Sequence, residues 1–166
     1  MNRRYNSSDY KALVDKLRCH FDDCAITTDI MVGFPGETED DFNTSVDFVR
    51  SIGFAKAHIF PYSRRDGTPA AEYPDQISDE EKKRRAAVMA EAAEASQNEF
   101  LQNQVGKTYP VLFEREKIDG FPNGYTPNYT KVKIFTKYSD KSLRNQIFYV
   151  KIIRLEDDYC IGELIT

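Results

Sequence analysis

The chain of 166 residues is 40% apolar and 13% aromatic and carries a net charge of −4. That is enough apolar material for one domain or two small ones with a packed core, and no run approaches the ~20 apolar residues that a membrane span requires. The start, MNRRYNSSDY, lacks the apolar segment of a secretory signal, and three cysteines without a C-x-x-C, beside two histidines, give no zinc-type spacing. The expectation is a cytoplasmic protein with no metal site of its own.

Helical and strand periods alternate through the first part of the chain. Ser7 or Ser8 is placed to cap a first helix with Tyr10, Leu13, Val14, Leu17 and Phe21 on its apolar face. Residues 25–34 read as a strand buried on both faces. Thr38, with Asp41 three residues on, opens a second helix lined by Phe42, Val46 and Val49, and Gly53 stands where a helix ends. Residues 55–62, AKAHIFPY, form a second strand. Ser78 with Glu81 begins a long third helix reaching to about residue 104, with Ala86, Met89, Ala93 and Phe100 on one side. This order describes two parallel strands with crossover helices. Two such strands cannot cover themselves, so the end of a larger α/β sheet or barrel is expected, with Met1 an internal methionine of a longer protein.

After Gly106 the period changes to two. YPVLFERE, YTKVKIFT, IFYVKIIRLE and YCIGELIT are short strands separated by the turn clusters DGFPNGYTPN, KYSDKSLRN and EDD. Four or five such strands make a small antiparallel β-barrel of the OB type. The fold class is therefore α/β followed by a small barrel, with the boundary between residues 103 and 104. Acids outnumber bases before that boundary and bases outnumber acids after it, so a polyanionic partner belongs to the second part.

Three stretches carry candidate chemistry. Gly33-Phe34-Pro35-Gly36 joins a strand to a helix start filled by Glu37, Glu39, Asp40 and Asp41. Those acids repel a phosphate, so the turn is either a tight corner or a site for an amino group or ribose hydroxyls. Residues 58–70, HIFPYSRRDGTPA, follow the second strand, and in parallel α/β folds ligands sit at the carboxyl ends of strands. Residues 124–133, GYTPNYTKVK, interleave aromatics and bases, as suits base stacking with phosphate contacts; a solvated hairpin is one alternative and a place for Tyr129 in the barrel core is another.

MNRRY, ITTDIMVGFPGETEDDF, HIFPYSRRDGTPA and GYTPNYTKVKI, taken in order, resemble consecutive motifs of the radical S-adenosylmethionine methylthiotransferases over essentially the whole chain. Asn128-Tyr129 is most similar to the branch acting on threonylcarbamoyladenosine beside the anticodon of tRNA. The resemblance implies that residues 1–103 are the last βα units of a partial TIM-type radical SAM barrel. It implies that residues 104–166 are a TRAM domain binding the tRNA anticodon stem-loop. In a complete enzyme of this kind S-adenosylmethionine and two [4Fe–4S] clusters serve the transfer of a methylthio group to C2 of a hypermodified adenosine. The family's C-x-x-x-C-x-x-C triad and its N-terminal cysteine domain are missing, and thiolates are needed to hold such clusters. The chain is thus expected to hold no cofactor and to be inactive without the N-terminal part. The resemblance assigns Gly33, Phe34, Pro35, Gly36 and Glu37 to the cofactor wall, with Asp29 and Glu37 on its polar groups and Phe34 on adenine. Tyr62 and Arg64, with Arg3, Arg4 and Arg65, form the rim. Tyr129 is expected to stack on a base, and Arg115, Lys131 and Lys133 to meet phosphates; no catalytic residue is assigned. A fragment of a ribosomal-protein methylthiotransferase and a free-standing RNA-binding adaptor are the alternatives.

Overall fold

Asn6, rather than either serine, caps the first helix, α1 (Ser7–His20): its side chain accepts from the Asp9 N–H while Asp9 caps the Asn6 N–H in return. The computed structural model describes residues 4–135 and 143–165, and the chain divides into two units, Met1–Gln97 and Asn98–Thr166. In the first unit β1 (Thr27–Val32) leads into α2 (Glu39–Ile52), then β2 (Lys56–Pro61) and α3 (Asp79–Gln102). The boundary falls inside α3, whose last five residues belong to the second unit.

The caps of α2 follow the sequence reading. Thr38 and Asp41 form the reciprocal box, and Gly53 ends the helix in the left-handed conformation at φ 65°, which glycine adopts without steric cost. The freed carbonyls of Ile52 and Gly53 are not left to water: Arg18 of α1 donates to them at 2.7 and 2.8 Å. The core of this unit gathers Val14, Val32, Phe42, Val46, Val49, Ile52, Phe54 and Met89. On α1 only Val14 is fully buried, whereas Leu13 and Phe21 are exposed, so the expected apolar face of α1 is narrower than its sequence.

Strands β1 and β2 pair in parallel from Thr27↔Lys56 to Val32↔Pro61. Ile30 and Ile59 face the helices and pack on the core. The alternate residues Thr27, Asp29, Met31, Lys56, His58 and Phe60 face outward and are exposed. The expectation of a strand buried on both faces is corrected: the sheet has two strands among the described residues, and helices cover one side only.

A charged lattice ties α3 to the start of α2. Arg85, almost fully buried, donates to the Glu37 carboxylate at 2.7 Å, to the Glu37 carbonyl at 2.9 Å and to Glu81 at 2.8 Å. Arg84 bridges Glu81 and Glu39, both at 2.7 Å. Hydrogen bonds from Arg84 and then Arg85 hold the Glu81 carboxyl down at about 2.

The second unit is a closed barrel of β3 (Thr108–Ile118), β4 (Phe121–Tyr125), β5 (Lys131–Ile134), β6 (Ile147–Glu156) and β7 (Tyr159–Leu164), in the order β3-β4-β5-β7-β6. Val111, Phe113, Val132, Ile134, Val150, Ile152 and Cys160 fill it, joined by Leu101 from the last turn of α3. Two features differ from the alternation pattern. β4 lies inside what reads as a turn cluster, since Pro122 and Gly124 disguise it. The β5–β7 pair is parallel, the one such pair of the barrel among the described residues. Gly124 is obligatory here: a Cβ on it would lie 2.2 Å from the Leu112 carbonyl oxygen, because β3 and β4 cross closely before the bulge between Phe113 and Lys117.

Gly124→Ala is expected to destabilise the barrel by roughly 1–3 kcal/mol, the range of overpacked interiors, read from thermal melts. The Glu81 carboxyl, followed by carbon NMR, is expected to titrate near its low value of about 2 and to move toward the ordinary 4.5 in Arg84→Gln. Because its folded value is depressed, its contribution to stability is full above about 4.5 and is lost as pH falls toward about 2.

Candidate cofactor wall and nucleic-acid interface

At the carboxyl ends of β1 and β2 the backbone turns through two glycines, Gly33 at φ 72° and Gly36 at φ 82°. The Gly33 N–H donates to the Glu37 carboxylate at 2.7 Å, and the Tyr62 N–H donates to the Val32 carbonyl at 2.8 Å. These bonds fix both loops at one edge. The Lys82 stem crosses so close to Gly33 that a Cβ there would lie 2.5 Å from it. Pro35 is buried, Gly36 is exposed, and Phe34 meets Tyr62 and Tyr73 edge-on at 5.3 and 6.2 Å.

An open cleft of about 520 Å³ follows β2, lined by Tyr62, Ser63, Arg64, Asp79, Lys82 and Lys83. Lys82 is largely buried, pairs with Asp79 at 3.1 Å and lies over the Tyr62 ring. The buried Tyr62 hydroxyl has no hydrogen-bond partner, which is unusual for a buried polar atom. The cleft thus sets the cations of Arg64, Lys82 and Lys83 against one carboxylate, Asp79.

The sequence-derived wall residues separate accordingly. Phe34, Tyr62 and Arg64 come together beside the cleft. Glu37, assigned to a cofactor's polar groups, accepts on Oε2 from both the Gly33 N–H and the Arg85 guanidinium. Asp29 stands on the outward face of β1, opposite His58, away from the Glu37 lattice. Arg4 and Arg65 are exposed; Arg3 lies outside the described residues. Lys82, Arg85 and Tyr73 went unnoticed. Only Arg85 left a trace, four residues after the capping Glu81 on one helix face.

In the barrel, residues 126–130 form a turn knotted by its own side chains. Asn128 Oδ1 accepts from the Thr130 hydroxyl at 2.9 Å, and the Thr130 N–H donates to the Thr126 hydroxyl at 3.0 Å. Asn128 Nδ2 donates to Gln104 Oε1 at 3.1 Å, and Gln104 Oε1 also accepts from the Tyr109 hydroxyl at 2.7 Å. The result is Tyr129 held at φ 60° and 84% exposed. A tyrosine in that backbone region is strained by about 1–3 kcal/mol. The core alternative for Tyr129 is thereby excluded. Lys131 is half-buried beside it on β5, and Arg115 is exposed in the β3 bulge.

Lys133 contradicts its assignment to phosphates. Its ammonium is buried, bonded to Asp119 at 2.7 Å, and surrounded by the rings of Phe121, Phe135 and Tyr159 at 5.3–5.5 Å. The Asp119 carboxylate raises its pKa, against the opposing effect of burial. This is a cation–π latch that pins the β3–β4 turn.

The cysteines do not fit an iron–sulfur cluster. Cys160 is in the barrel core, where burial pushes its thiol up to about 11, while Cys19 is exposed and Cys24 half-buried. No group of three metal-ligating side chains occurs among the described residues, and none of the described helices is long and apolar enough to cross a membrane.

No protein-family model matches the chain. It is 37% identical over 157 residues to the tRNA-2-methylthio-N(6)-dimethylallyladenosine synthase of Ehrlichia ruminantium (strain Welgevonden), covering 94% of this chain and 34% of that protein. It is 39% identical over 166 residues to the synthase of the same name from Caldicellulosiruptor saccharolyticus, covering 99% and 35%. A third, from Pelotomaculum thermopropionicum, is 43% identical over 120 residues, covering 72% and 27%. The chain thus spans about a third of the length of the curated relatives it matches. All three names carry dimethylallyladenosine, which corrects the threonylcarbamoyladenosine reading of Asn128-Tyr129. Asn128 is engaged in knotting its own turn. The chain is a relative of the tRNA methylthiotransferases, matched over nearly its full length and spanning about a third of theirs.

Proposed function

We propose that this chain forms part of a cytoplasmic tRNA methylthiotransferase whose substrate is an N6-dimethylallyl-adenosine beside the anticodon. The likeness over 94% of the chain to a synthase of that name carries the reading. Residues 1–103 act as the last βα units of a partial TIM-type barrel. Residues 104–166, with the last turn of α3, act as the RNA-binding TRAM barrel.

The ends of β1 and β2 fit the wall of an S-adenosylmethionine site. Phe34 presents a ring edge already braced by Tyr62 and Tyr73. Arg64 and Lys82 offer cations to a carboxylate, and the orphaned Tyr62 hydroxyl offers a donor within that end of the fold. When bound, S-adenosylmethionine supplies the radical chemistry. The residues of this chain bind and orient it, and the Glu37–Arg85 lock keeps the wall in place. The clusters belong to other residues of such an enzyme, since the cysteines present do not hold them, and the chain by itself is inactive.

In the barrel, exposed Tyr129 stacks on a base while Lys131 meets phosphate. Tyr129→Ala is expected to weaken binding of an anticodon stem-loop without changing the salt slope. Lys131→Ala is expected to lower the log–log slope by about 0.7–0.9, as loss of one phosphate contact does. Tyr129→Gly relieves the left-handed strain and is expected to stabilise the barrel by about 1 kcal/mol while weakening RNA binding. Anisotropy titrations at several salt concentrations, with thermal melts of each variant, check all three. Salt-independent or absent affinity for any tRNA contradicts the barrel's role.

A further inference from the structure

The outer face of the barrel carries a strip that RNA affinity through Tyr129 and Lys131 does not require. Register places Lys131, Tyr125, Leu112 and Ile147 in one row across β5, β4, β3 and β6. In the next row Pro110 faces Tyr149 on β6, and the Ile165 N–H donates to the Tyr149 carbonyl. Paired residues share a face of a sheet, so these side chains form one surface. Leu112 is 48% exposed, Ile147 64%, Tyr149 61% and Ile165 49%. The Tyr129 ring stands 6.2 Å from that of Tyr125, which continues the strip onto the knotted turn. Lys131 flanks one row, and a third row holds Lys151 with Glu163 opposite it.

Charge elsewhere on the barrel narrows the choice of partner. OB-type barrels commonly bind through the loops between their first and second and their fourth and fifth strands. Here those turns are Asp119-Gly120 and Asp157-Asp158, with Glu156 beside the latter. Lys133 already satisfies Asp119, and Arg154 and the Tyr159 hydroxyl engage Glu156. That leaves the exposed Asp157 and Asp158 to repel a phosphate backbone at the β6–β7 turn. A duplex presents phosphates and closed base stacks, and it gains little from exposed aliphatic and tyrosine side chains. Unpaired bases gain from them directly, because every base has an apolar face to stack.

We infer that the face formed by Tyr129, Tyr125, Leu112, Ile147 and Tyr149 is a stacking track for an unpaired RNA segment, with Lys131 and Lys151 beside its phosphates. This rests on the RNA-binding reading of the barrel and adds to it which face and which form of RNA. The phosphates lie along the β5 and β6 margins, and the acidic turns stay clear.

The test uses the full chain and a 5′-labelled 12-nucleotide single strand, compared by anisotropy with the same sequence in a blunt duplex. The single strand is expected to bind about tenfold or more tighter, and Tyr149→Ala to weaken it about fivefold or more, the range of one lost stacking contact. Tyr149→Phe is expected to retain the affinity, which separates lost stacking from lost folding, and Asp157→Asn with Asp158→Asn to leave it within about twofold. Equal or tighter duplex binding overturns the track while the RNA-binding reading stands. So does an unchanged Tyr149→Ala alongside weakened Lys131→Ala and Lys151→Ala. Binding of neither RNA form overturns both. If Ile147→Ser and Tyr149→Ala change self-association in sedimentation but not RNA affinity, the strip is a protein interface and the inference fails.

Discussion

The Glu37 carboxylate, gripped by the Gly33 N–H and the buried Arg85 guanidinium, is the interaction on which the first unit depends. The Gly-Phe-Pro-Gly turn itself carries two left-handed glycines and is closed by the Glu37 N–H on the Phe34 carbonyl and the Gly36 N–H on the Asp75 carbonyl. With the Glu37 carboxylate in place the turn, the start of α2 and the flank of α3 become one rigid corner. Removing one partner of such a buried pair leaves an uncompensated charge, which is far costlier than the pair is stabilising. The acidic helix start therefore serves the fold before it serves any ligand. Glu37 and Glu39 answer Arg85 and Arg84, and Asp41 caps its own helix.

The barrel is built on a different constraint, the close approach of backbones. Gly124 lets β3 and β4 cross. Gly162 leaves room for Val150 and Val132, whose methyl groups would lie 2.3 and 3.1 Å from a Cβ there. Closure then fixes Asn128 and Gln104 as a buried polar knot, and the knot forces Tyr129 outward in a conformation that tyrosine avoids. A strained, exposed aromatic on an over-determined turn is the kind of feature that persists at binding sites. The two units thus present their functional candidates in opposite ways: a braced, cation-lined cleft in one and an open aromatic face in the other.

Much of this was legible in the sequence, and the rest was not, for physical reasons. Caps are local, so Thr38, Asp41, Gly53 and Ser78 mark their helices correctly. The Asn6 cap was passed over because two serines follow it and all three residues cap well. Strand β4 escaped because Pro122 and Gly124 are turn residues by habit, and only the crossing of β3 explains Gly124. Lys133 looked like a phosphate ligand because its three aromatic neighbours are contributed by β4, by the residue after β5 and by β7, and no local pattern joins them. The Glu37–Arg85 pair went unread because the two residues are 48 apart in the chain. Long-range pairings of this kind decide whether a charge is available, and a linear reading sees only the charge.

The proposed role of the barrel rests on its exposed aromatic face and on the likeness of the chain to tRNA methylthiotransferases over about a third of their length. Photocrosslinking of the full chain to an anticodon stem-loop carrying N6-dimethylallyl-adenosine, with the attached residues located by mass spectrometry, tests that account most directly. Adducts concentrated on Tyr129, Tyr125 and Tyr149 are the result it predicts. Adducts confined to the acidic turns around Asp119 and Asp157, or none on the barrel at all, would contradict it.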